Sequence, residues 1–371
     1  MTQDLDILII GGGICGLLTA RELALAGREV TILDQSNSGQ ESSWAGGGIL
    51  LPIYPWRQPA AISDLVIASL QHYPDLAREL FITTGINPEW HPSGMLICKN
   101  PDIELATKWC DSHQILHLTP SAQMLTPFDT EFNQPLWLPD IAQARNPRLL
   151  KSLKAFLLQQ GVRFIENTPV SKIEIQKRRL QTVHVQQTPF SPQQVIICAG
   201  AWTSRLLDLW IPKASIRLPI RPVRGQMLLF DAKPDTLQHM VLDGQHYLIP
   251  RQDGKILAGS TVEEAGFEKI TTNTAKQNLF NFAVQLLPAL KQFPICAHWA
   301  GLRPGTPQGI PFIGFHPDLD NLSVNAGHFR NGLVMGPASA RLLADLILNR
   351  PTSIDPGPYS LRPDCSSIVQ P

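Results

Sequence analysis

The sequence predicts an α/β fold in which a Rossmann-like parallel sheet is interleaved with an antiparallel sheet. Two short continuous apolar runs, Asp6–Ile10 and Gln194–Cys198, are typical of strands buried on both faces of a parallel sheet. Alternating strands follow the second run, including Arg224–Phe230, His246–Pro250 and Lys255–Gly259. Because the two patterns take turns along the chain, each part of the fold is expected to be discontinuous in sequence.

The composition indicates a folded chain without a general affinity for charged macromolecules. Apolar residues make up 43% of its 371 residues and charged residues 17%, which supplies a core and excludes extensive disorder. The 31 basic and 31 acidic residues cancel, so no field of one sign attracts nucleic acid or anionic lipid. We therefore expect neither of these as a partner. The 32 prolines predict many fixed turns and few long helices.

The N-terminal segment and the cysteines predict a cytoplasmic protein. The first apolar run follows Asp4 and lacks a preceding basic region, so it is neither a signal peptide nor a membrane span. The cysteines form no C-x-x-C pair and no zinc-binding spacing, so we expect six free thiols and no metal site. They are Cys15, Cys98, Cys110, Cys198, Cys296 and Cys365.

A glycine-rich turn directly follows the first strand. Gly11, Gly13 and Gly16 form the pattern G-x-G-x-x-G. A helix predicted over Leu17–Ala26 comes next, and a second strand ends at Asp34. In such a motif the glycines allow a tight turn, the approach of a pyrophosphate and close packing of the helix, while the acid binds a ribose 2′-hydroxyl and disfavours NADP. This order of elements predicts a dinucleotide site without separating FAD from NAD.

Two further glycine-rich stretches are candidates for the same site. Residues 42–50 (SSWAGGGIL) offer hydroxyl and bare N–H groups to a flat ligand, although a flexible surface loop has the same composition. Residues 325–332 (NAGHFRNG) precede a helix predicted over Leu333–Asn349, whose N-terminus suits negative charge. A NAD-dependent dehydrogenase would leave this second glycine-rich loop without a role.

Arg303 is the candidate for binding a substrate carboxylate. It lies between glycine and proline in the run GLRPGT, so it is not in a helix interior. A guanidinium grips a carboxylate through two parallel hydrogen bonds. The residues alone equally allow a structural arginine that pairs with a buried carboxylate or carbonyl.

Helices are also predicted over residues 61–84, where Pro74 kinks or divides the helix, and over Pro147–Gln160 and Asn273–Leu287. Short strands with prolines and tryptophans are expected between about 86 and 145. We assign residues 1–85, 145–216 and 302–371 to the dinucleotide-binding domain, and residues 86–144 and 217–301 to an antiparallel substrate domain.

Five motifs together resemble one known family, the D-amino-acid oxidase family of FAD-dependent oxidoreductases. The resemblance covers almost the whole chain, and within the family it is strongest to the bacterial enzymes that oxidise glycine for thiamine biosynthesis. The last two motifs are more specific than the first, which other flavoproteins share. The motifs are residues 11–16 (GGGICG), 42–48 (SSWAGGG), 247–251 (YLIPR), 301–306 (GLRPGT) and 327–332 (GHFRNG).

The resemblance implies FAD as the cofactor. Noncovalent binding is implied, because monomeric sarcosine oxidases carry a flavin-linking cysteine where this chain has Gly301. Arg303 would hold the substrate carboxylate with the Tyr247 hydroxyl, although a tyrosine in a strand is also a common core residue. Arg330 would reach the substrate or the flavin, or orient its loop. The residues expected to bind the cofactor are Gly11, Gly13, Ile14, Cys15, Gly16, Asp34, Gln35, Ser42, Ser43, Gly47, Gly48, Ile49, Val170, Gly200, His328, Phe329, Arg330, Asn331, Gly332, Leu333 and Val334.

The reaction implied is hydride transfer from the substrate Cα to flavin N5, which requires no side-chain base if the amine enters neutral. The substrates would be glycine, sarcosine and small D-amino acids. Reoxidation by O2 would give hydrogen peroxide, and hydrolysis of the imine would give glyoxylate and ammonia. The family also suggests that the imine feeds thiamine thiazole synthesis and that the protein is a homotetramer.

Two alternatives stay open on the sequence. A D-amino-acid dehydrogenase of the same fold would pass its electrons to an acceptor other than oxygen. A non-catalytic FAD-binding protein would retain the flavin but would never be reduced by amino acids. The sequence does not rank glycine against sarcosine, D-alanine or D-proline.

Overall fold

The computed structural model describes residues 3–100 and 102–361. Cys365, one of the predicted free thiols, lies outside these residues. The outermost positions of the predicted 1–85 and 302–371 segments also lie outside them, as does Pro101 within the predicted 86–144 segment. The five cysteines that the structure describes are free thiols.

The chain alternates helices with strands of two sheets. The strands of the described residues are β1 (Gln3–Ile10), β2 (Val30–Leu33), β3 (Met95–Ile97), β4 (Leu136–Leu138), β5 (Arg163–Ile165), β6 (Val170–Gln176), β7 (Arg179–Val185), β8 (Thr188–Ile197), β9 (Arg221–Phe230), β10 (Met240–Asp243), β11 (His246–Pro250), β12 (Ile256–Gly259), β13 (Ile295–Gly305), β14 (Phe312–Phe315) and β15 (Leu322–Ala326). The α-helices are α1 (Ile14–Leu25), α2 (Ser42–Ala45), α3 (Ala60–Thr84), α4 (Ile103–Ser112), α5 (Ala122–Leu125), α6 (Asn146–Gln159), α7 (Thr203–Trp210), α8 (Asn273–Leu286) and α9 (Gly332–Ile347).

The first sheet has the order β14–β15–β8–β1–β2–β5, and the hairpin β6–β7 joins it through β8. Its centre is parallel, with Ile9 of β1 between Ile32 of β2 and Ile196 of β8. Ile9 packs in one hydrophobic core, and its neighbour Leu8 packs in another on the opposite face. Because both faces are buried, β1 is a continuous apolar run in the sequence.

The second sheet has the order β13–β9–β12–β11–β10–β3–β4 and is antiparallel except between β10 and β3. In β11, Leu248 packs with Leu279 of α8 in a core on one face. Its neighbours Tyr247 and Ile249 belong to the core shared with the first sheet. Because side chains alternate along a strand, the hydrophobic pattern of β11 turns Tyr247 toward the first sheet. Both sheets are present, which confirms the predicted fold class.

The predicted domain boundary between residues 301 and 302 falls inside β13. This strand pairs with β9 as far as Gly305, so Arg303 belongs to the second sheet. The division of the chain into two domains stays a prediction.

The structure settles one alternative left open for a helix and adds a helix that the sequence prediction missed. Helix α3 is one element of 25 residues, so Pro74 does not divide it. Tyr73 and Leu80 are fully or almost fully buried on either side of the proline, and this packing offsets the missing hydrogen bond. Residues 86–145 contain not only short strands but also α4, whose buried face consists of Ala106 and Cys110, four residues apart.

The stretch predicted as an irregular glycine-rich loop begins with a turn of helix, α2. Among the described residues, no helix is both long enough and apolar enough to span a bilayer.

Helix α9 contains a proline near its N-terminus, and side chains of α3 satisfy the backbone groups around it. Pro337 has no N–H, so the carbonyl of Leu333 loses its partner four residues on. The hydroxyl of Tyr73 donates to this carbonyl instead. Next to it, the N–H of Ala338 donates to the buried hydroxyl of Ser69 at 3.0 Å. Side chains of α3 therefore replace backbone hydrogen bonds that α9 loses around Pro337.

We predict that Tyr73→Phe destabilises the protein more than Tyr359→Phe. Both hydroxyls are buried and donate to a carbonyl, but the carbonyl of Ala61 that Tyr359 contacts has Leu65 as its helical partner. Losing the Tyr73 hydroxyl leaves the carbonyl of Leu333 without a donor at a partly buried position, which costs about 1–3 kcal/mol, against roughly 0.5–1.5 kcal/mol for the control. Denaturant unfolding of the two variants measures the difference. Equal losses would contradict the role assigned to Tyr73.

Candidate active site

A cavity of about 490 Å³ opens between the two sheets. Asp34 and Val170 line it beside the first sheet, and Tyr247 and Arg303 line it from the second. Most site residues predicted from the sequence therefore share one lining. These are Gly11, Gly13, Ile14, Cys15, Asp34, Gln35, Ser42, Ser43, Gly47, Gly48, Ile49, Val170, Gly200, Tyr247, Arg303, His328, Phe329, Arg330, Asn331, Gly332 and Leu333. The other two, Gly16 and Val334, are buried outside the lining.

The glycine-rich turn brings the start of α1 against the sheet. At Gly11, φ is +107°, and a Cβ would lie 2.4 Å from the carbonyl oxygen of Cys198. A Cβ at Gly16 would lie 2.0 Å from the carbonyl oxygen of Gly11, so a larger residue would push the helix away. Gly13 instead has only the Ser43 hydroxyl near its Cβ position, at 3.2 Å. Its open backbone at a helix N-terminus suits a pyrophosphate.

Asp34 fixes the same turn from the end of β2. One carboxylate oxygen accepts the N–H of Gly12 at 2.7 Å, and the other accepts the N–H of Ser36 at 2.9 Å. The hydroxyl of Ser43 accepts the N–H of Ile14 at 2.9 Å. These bonds hold the shape of the turn, and Asp34 still lines the cavity where the sequence predicts contact with a ribose.

The N-terminus of α9 is the second helix end at the cavity. The side chain of Asn331, which precedes the helix, makes no capping hydrogen bond. Gly332 and Leu333 line the cavity with first-turn N–H groups, which have no acceptor within the helix. Together with the N-terminus of α1, this end gives the cavity two poles of partial positive charge.

His328 is held in the neutral state beneath the cavity. Burial lowers its pKa to about 3. The Ser339 hydroxyl donates to the carbonyl of Met335 at 2.8 Å, so it accepts the Nε2–H of His328 at 2.9 Å. Nδ1 is then an acceptor for the thiol of Cys15, 3.5 Å away. Although part of Cys15 faces the cavity, burial raises the pKa of its thiol to about 12, so the proton stays on sulfur.

Arg303 is a half-buried cation held by neutral oxygens. Its guanidinium donates to the carbonyl of Thr261 at 3.0 Å and to the hydroxyl of Ser260 at 2.8 Å. The group lies against the bare Cα of Gly225, where a Cβ would be 2.2 Å from both terminal nitrogens. Burial lowers the pKa of Arg303. The interaction with Tyr247 opposes this shift, and the positive charge of Arg330 adds to it.

Arg330 is the second cation at this end of the cavity. One terminal nitrogen donates to the side-chain oxygen of Gln245 at 3.2 Å, while the other is buried without a partner. Burial lowers the pKa of Arg330 as well. Among residues 3–100 and 102–361, no carboxylate forms an ion pair with Arg303 or Arg330. The pair is therefore suited to a bound anion.

The lining fits FAD along its length. The turn around Gly13 suits the pyrophosphate, and the N-terminus of α9 suits the negative edge of the flavin. Glycines 46–48 form a wall of the cavity without side chains, and a Cβ at Gly47 would lie 2.8 Å from Ile249. A buried oxygen of Asn146 beside this wall has no donor. These features suit a bulky planar group such as the isoalloxazine of FAD.

Comparisons with known proteins agree with this geometry. The family model described as DAO, FAD dependent oxidoreductase, matches residues 6–346. The chain is 42% identical to a glycine oxidase of Pseudomonas aeruginosa, over 95% of this chain and 98% of that protein. It is 32% identical to the bifunctional protein ThiO/ThiG of Synechocystis, over 95% of this chain and 53% of that protein. The crystal structure of glycine oxidase from Geobacillus kaustophilus has a TM-score of 0.90 at 26% identity, and the match covers 97% of this chain and 99% of that one.

The fold and the cavity thus define a flavin-dependent oxidoreductase. Within that class, the chain belongs to the DAO family of FAD-dependent oxidoreductases. This confirms the family resemblance seen in the sequence motifs and the prediction of FAD as the cofactor.

Some residues of the lining were missed by the sequence prediction. Gly225 and Met227 of β9, Asn146 of α6, and Trp202 and Arg205 near the start of α7 all contribute to it. Only Gly225 carried a usable signal, because a glycine inside a strand pattern often marks close approach of another group. The others have ordinary local patterns, and only the packing of the two sheets brings them to the cavity.

We predict that His328→Gln reduces the loss of stability in mild acid. The unfolded chain binds a proton on this histidine below about pH 6.5, whereas the folded protein does so only near pH 3. Between these values the unfolded state binds more protons, so stability falls as pH falls, by at most about 1.4 kcal/mol per pH unit for one group. Glutamine has no such titration, so the free energy of unfolding should change less between pH 6.5 and 4.5.

The control for this prediction is His72→Gln, which removes an exposed histidine from α3. It should leave the pH dependence of stability as in the wild type. Other buried histidines keep part of that dependence in every variant, so the difference between variants is the quantity to measure. An identical slope in wild type and His328→Gln would show that His328 is not held neutral.

Proposed function

We propose that this FAD-dependent amine oxidase oxidises glycine, and also sarcosine and small D-amino acids, with O2 as the electron acceptor. The products would be hydrogen peroxide and an imine, and water hydrolyses the imine formed from glycine to glyoxylate and ammonia. The observation that carries the proposal is the pair of half-buried arginines, Arg303 and Arg330, which lack a carboxylate partner in the described part of the chain. A small amino acid brings the carboxylate that the pair requires, and the similarity to the Pseudomonas aeruginosa glycine oxidase supports glycine.

Arg303 is proposed to bind the substrate carboxylate directly. A guanidinium has five N–H groups. Here one nitrogen donates to Thr261 and the other terminal nitrogen to Ser260, which fixes the plane of the group and leaves further N–H groups for the carboxylate. Arg330 adds its buried unpartnered nitrogen, and Tyr247 lines the same end of the cavity. These contacts would orient the substrate Cα.

The chain supplies binding and orientation in this reaction. Bound FAD supplies the two-electron oxidation, as the acceptor of a hydride at N5. His328 is neutral, and both of its ring nitrogens already have hydrogen-bond partners, so it is not the base. The arginine pair favours the anionic carboxylate and disfavours a second positive charge nearby, which favours an amino group that reacts in its neutral form.

We also propose that the imine supplies the thiazole of thiamine. The support is the bifunctional protein ThiO/ThiG, which this chain matches along about half of that protein's length. Three further properties stay predictions. FAD is expected to be noncovalent because Gly301 offers no thiol, the family suggests a homotetramer, and the sequence suggests a cytoplasmic protein.

We predict that Arg303→Ala lowers kcat/KM for glycine by about 10- to 100-fold or more. A charge-assisted hydrogen bond contributes roughly 1.5–3 kcal/mol, and each tenfold change corresponds to about 1.4 kcal/mol. Arg303→Lys should recover only part of the loss, because an ammonium cannot form the two parallel bonds. The control is Arg178→Ala, an exposed arginine that pairs with Asp320. Near-normal kcat/KM in Arg303→Ala would exclude the assigned role.

We predict that glycine bleaches the flavin absorbance of the purified protein under anaerobic conditions. Admission of air should restore the oxidised spectrum and produce hydrogen peroxide. Bleaching without prompt recovery in air would indicate a dehydrogenase with another acceptor. A flavin that stays oxidised with glycine, sarcosine and D-alanine would contradict the proposed substrates.

A further inference from the structure

The segment that holds Arg303 is itself tied to the sheet by one carboxylate. Ser260 and Thr261, which accept from Arg303, follow directly on β12. Two residues further on, Glu263 exchanges both backbone hydrogen bonds with Arg224 of β9, each at 2.9 Å. The segment therefore pairs with β9 at Arg224, next to Gly225, the residue against which the guanidinium lies.

The carboxylate of Glu263 joins three side chains of this region. One oxygen accepts the hydroxyl of Thr261 and the side-chain nitrogen of Gln226, the latter at 2.8 Å. The other oxygen accepts two nitrogens of Arg224, at 3.0 and 2.7 Å. The same Thr261 hydroxyl accepts the backbone N–H of Gln226 at 2.8 Å, so the position of its residue is determined on two sides. The Thr261 carbonyl then contacts Arg303.

A carboxylate is the chemical group that these partners require. All of the side-chain groups around Glu263 act as donors toward it, and an ionised carboxylate is an acceptor at both oxygens. An amide in the same place has one oxygen, so its NH2 group would face donors from either Arg224 or from Thr261 and Gln226. The interactions with Thr261, Arg224 and Gln226 outweigh partial burial and lower the pKa of Glu263, which keeps it ionised near neutral pH.

We propose that Glu263 is a positioning residue of the substrate site. Its carboxylate ties Ser260 and Thr261 to β9 and thereby fixes the plane of the Arg303 guanidinium, while Glu263 itself is not part of the cavity lining. The inference rests on the proposed role of Arg303 in binding the substrate carboxylate. It adds that the geometry of this arginine depends on an acid outside the cavity.

The matched control is the next residue in the chain. Glu264 also forms an ion pair with an arginine of β9, Arg221. The two side chains of this pair are more exposed than those of Glu263 and Arg224. The structure gives this pair no contact with Arg303 or with the segment oxygens that hold it. Glu264→Gln therefore removes a negative charge one residue away and leaves the hydrogen bonds from Arg303 to Ser260 and Thr261 in place.

The test uses the FAD-loaded protein and acetate, which is glycine without its amino group. Isothermal titration calorimetry measures the Kd of acetate, and steady-state kinetics measures KM and kcat for glycine. In Glu263→Gln we expect both the Kd of acetate and the KM of glycine to rise about tenfold, with kcat changed by less than about threefold. The FAD content and flavin spectrum should stay as in the wild type. In Glu264→Gln all of these should stay at wild-type values.

A second pair of variants covers the case in which Glu263→Gln does not fold. Thr261→Val removes the hydroxyl that joins this residue to Glu263, and Thr261→Ser keeps it. We expect weaker acetate binding in Thr261→Val and wild-type binding in Thr261→Ser. Wild-type acetate binding in both Glu263→Gln and Thr261→Val, or in Thr261→Val where Glu263→Gln cannot be obtained, would overturn the inference.

The proposed function fails separately. If glycine does not reduce the wild-type flavin, the proposed substrate is wrong. Acetate binding still reports on the position of the Arg303 guanidinium. If Arg303→Ala binds acetate as tightly as the wild type, the carboxylate site itself is misplaced, and the inference about Glu263 is overturned with it.

Discussion

The partial burial of two guanidinium groups at one end of the cavity is the constraint on which the active site depends. Removing an unpaired charge from water costs several kcal/mol even after the surroundings relax. Around Arg303 the second sheet offsets part of this cost with neutral oxygens from Ser260 and Thr261. Arg330 retains a buried nitrogen without a partner. A bound carboxylate supplies the anionic acceptor that both guanidinium groups lack. We therefore expect the folded protein to be more stable with an anionic ligand than without one.

The first sheet meets a complementary requirement, because it must present backbone N–H groups without leaving other buried groups unpaired. The N-termini of α1 and α9 both reach the cavity, and each is supported from outside its own helix. Asp34 and Ser43 hold the turn before α1. Tyr73 and Ser69 of α3 satisfy the groups around Pro337 in α9. The donors that stay available are thereby the ones that face the cofactor site.

The two sheets divide the work of the enzyme between them. The cofactor side is built from backbone groups, and few of its positions restrict the residue type as strongly as Gly16, where a Cβ would meet an oxygen at 2.0 Å. The proposed substrate side is built from side chains on β9, β11 and β13, together with the segment after β12 and with Arg330, which precedes α9. This division explains how a glycine oxidase with 26% identity can share the fold with a TM-score of 0.90. Substrate preference is expected to depend on the second sheet.

The sequence by itself determined the parallel sheet, the glycine-rich turn and helix α9, whose N-terminus lines the cavity. These depend on the order of elements along the chain and on apolar runs buried on both faces. It also indicated Arg303 from its local sequence, and it indicated Arg330 only through motifs that resemble a family. Tertiary structure decided the rest. Gly225 and Glu263 are distant in the chain from Arg303, and pairing of β9 with β13 and with the segment after β12 brings them together. Local periodicity carries no information on such register between distant segments, since it is set by the packing of the whole sheet.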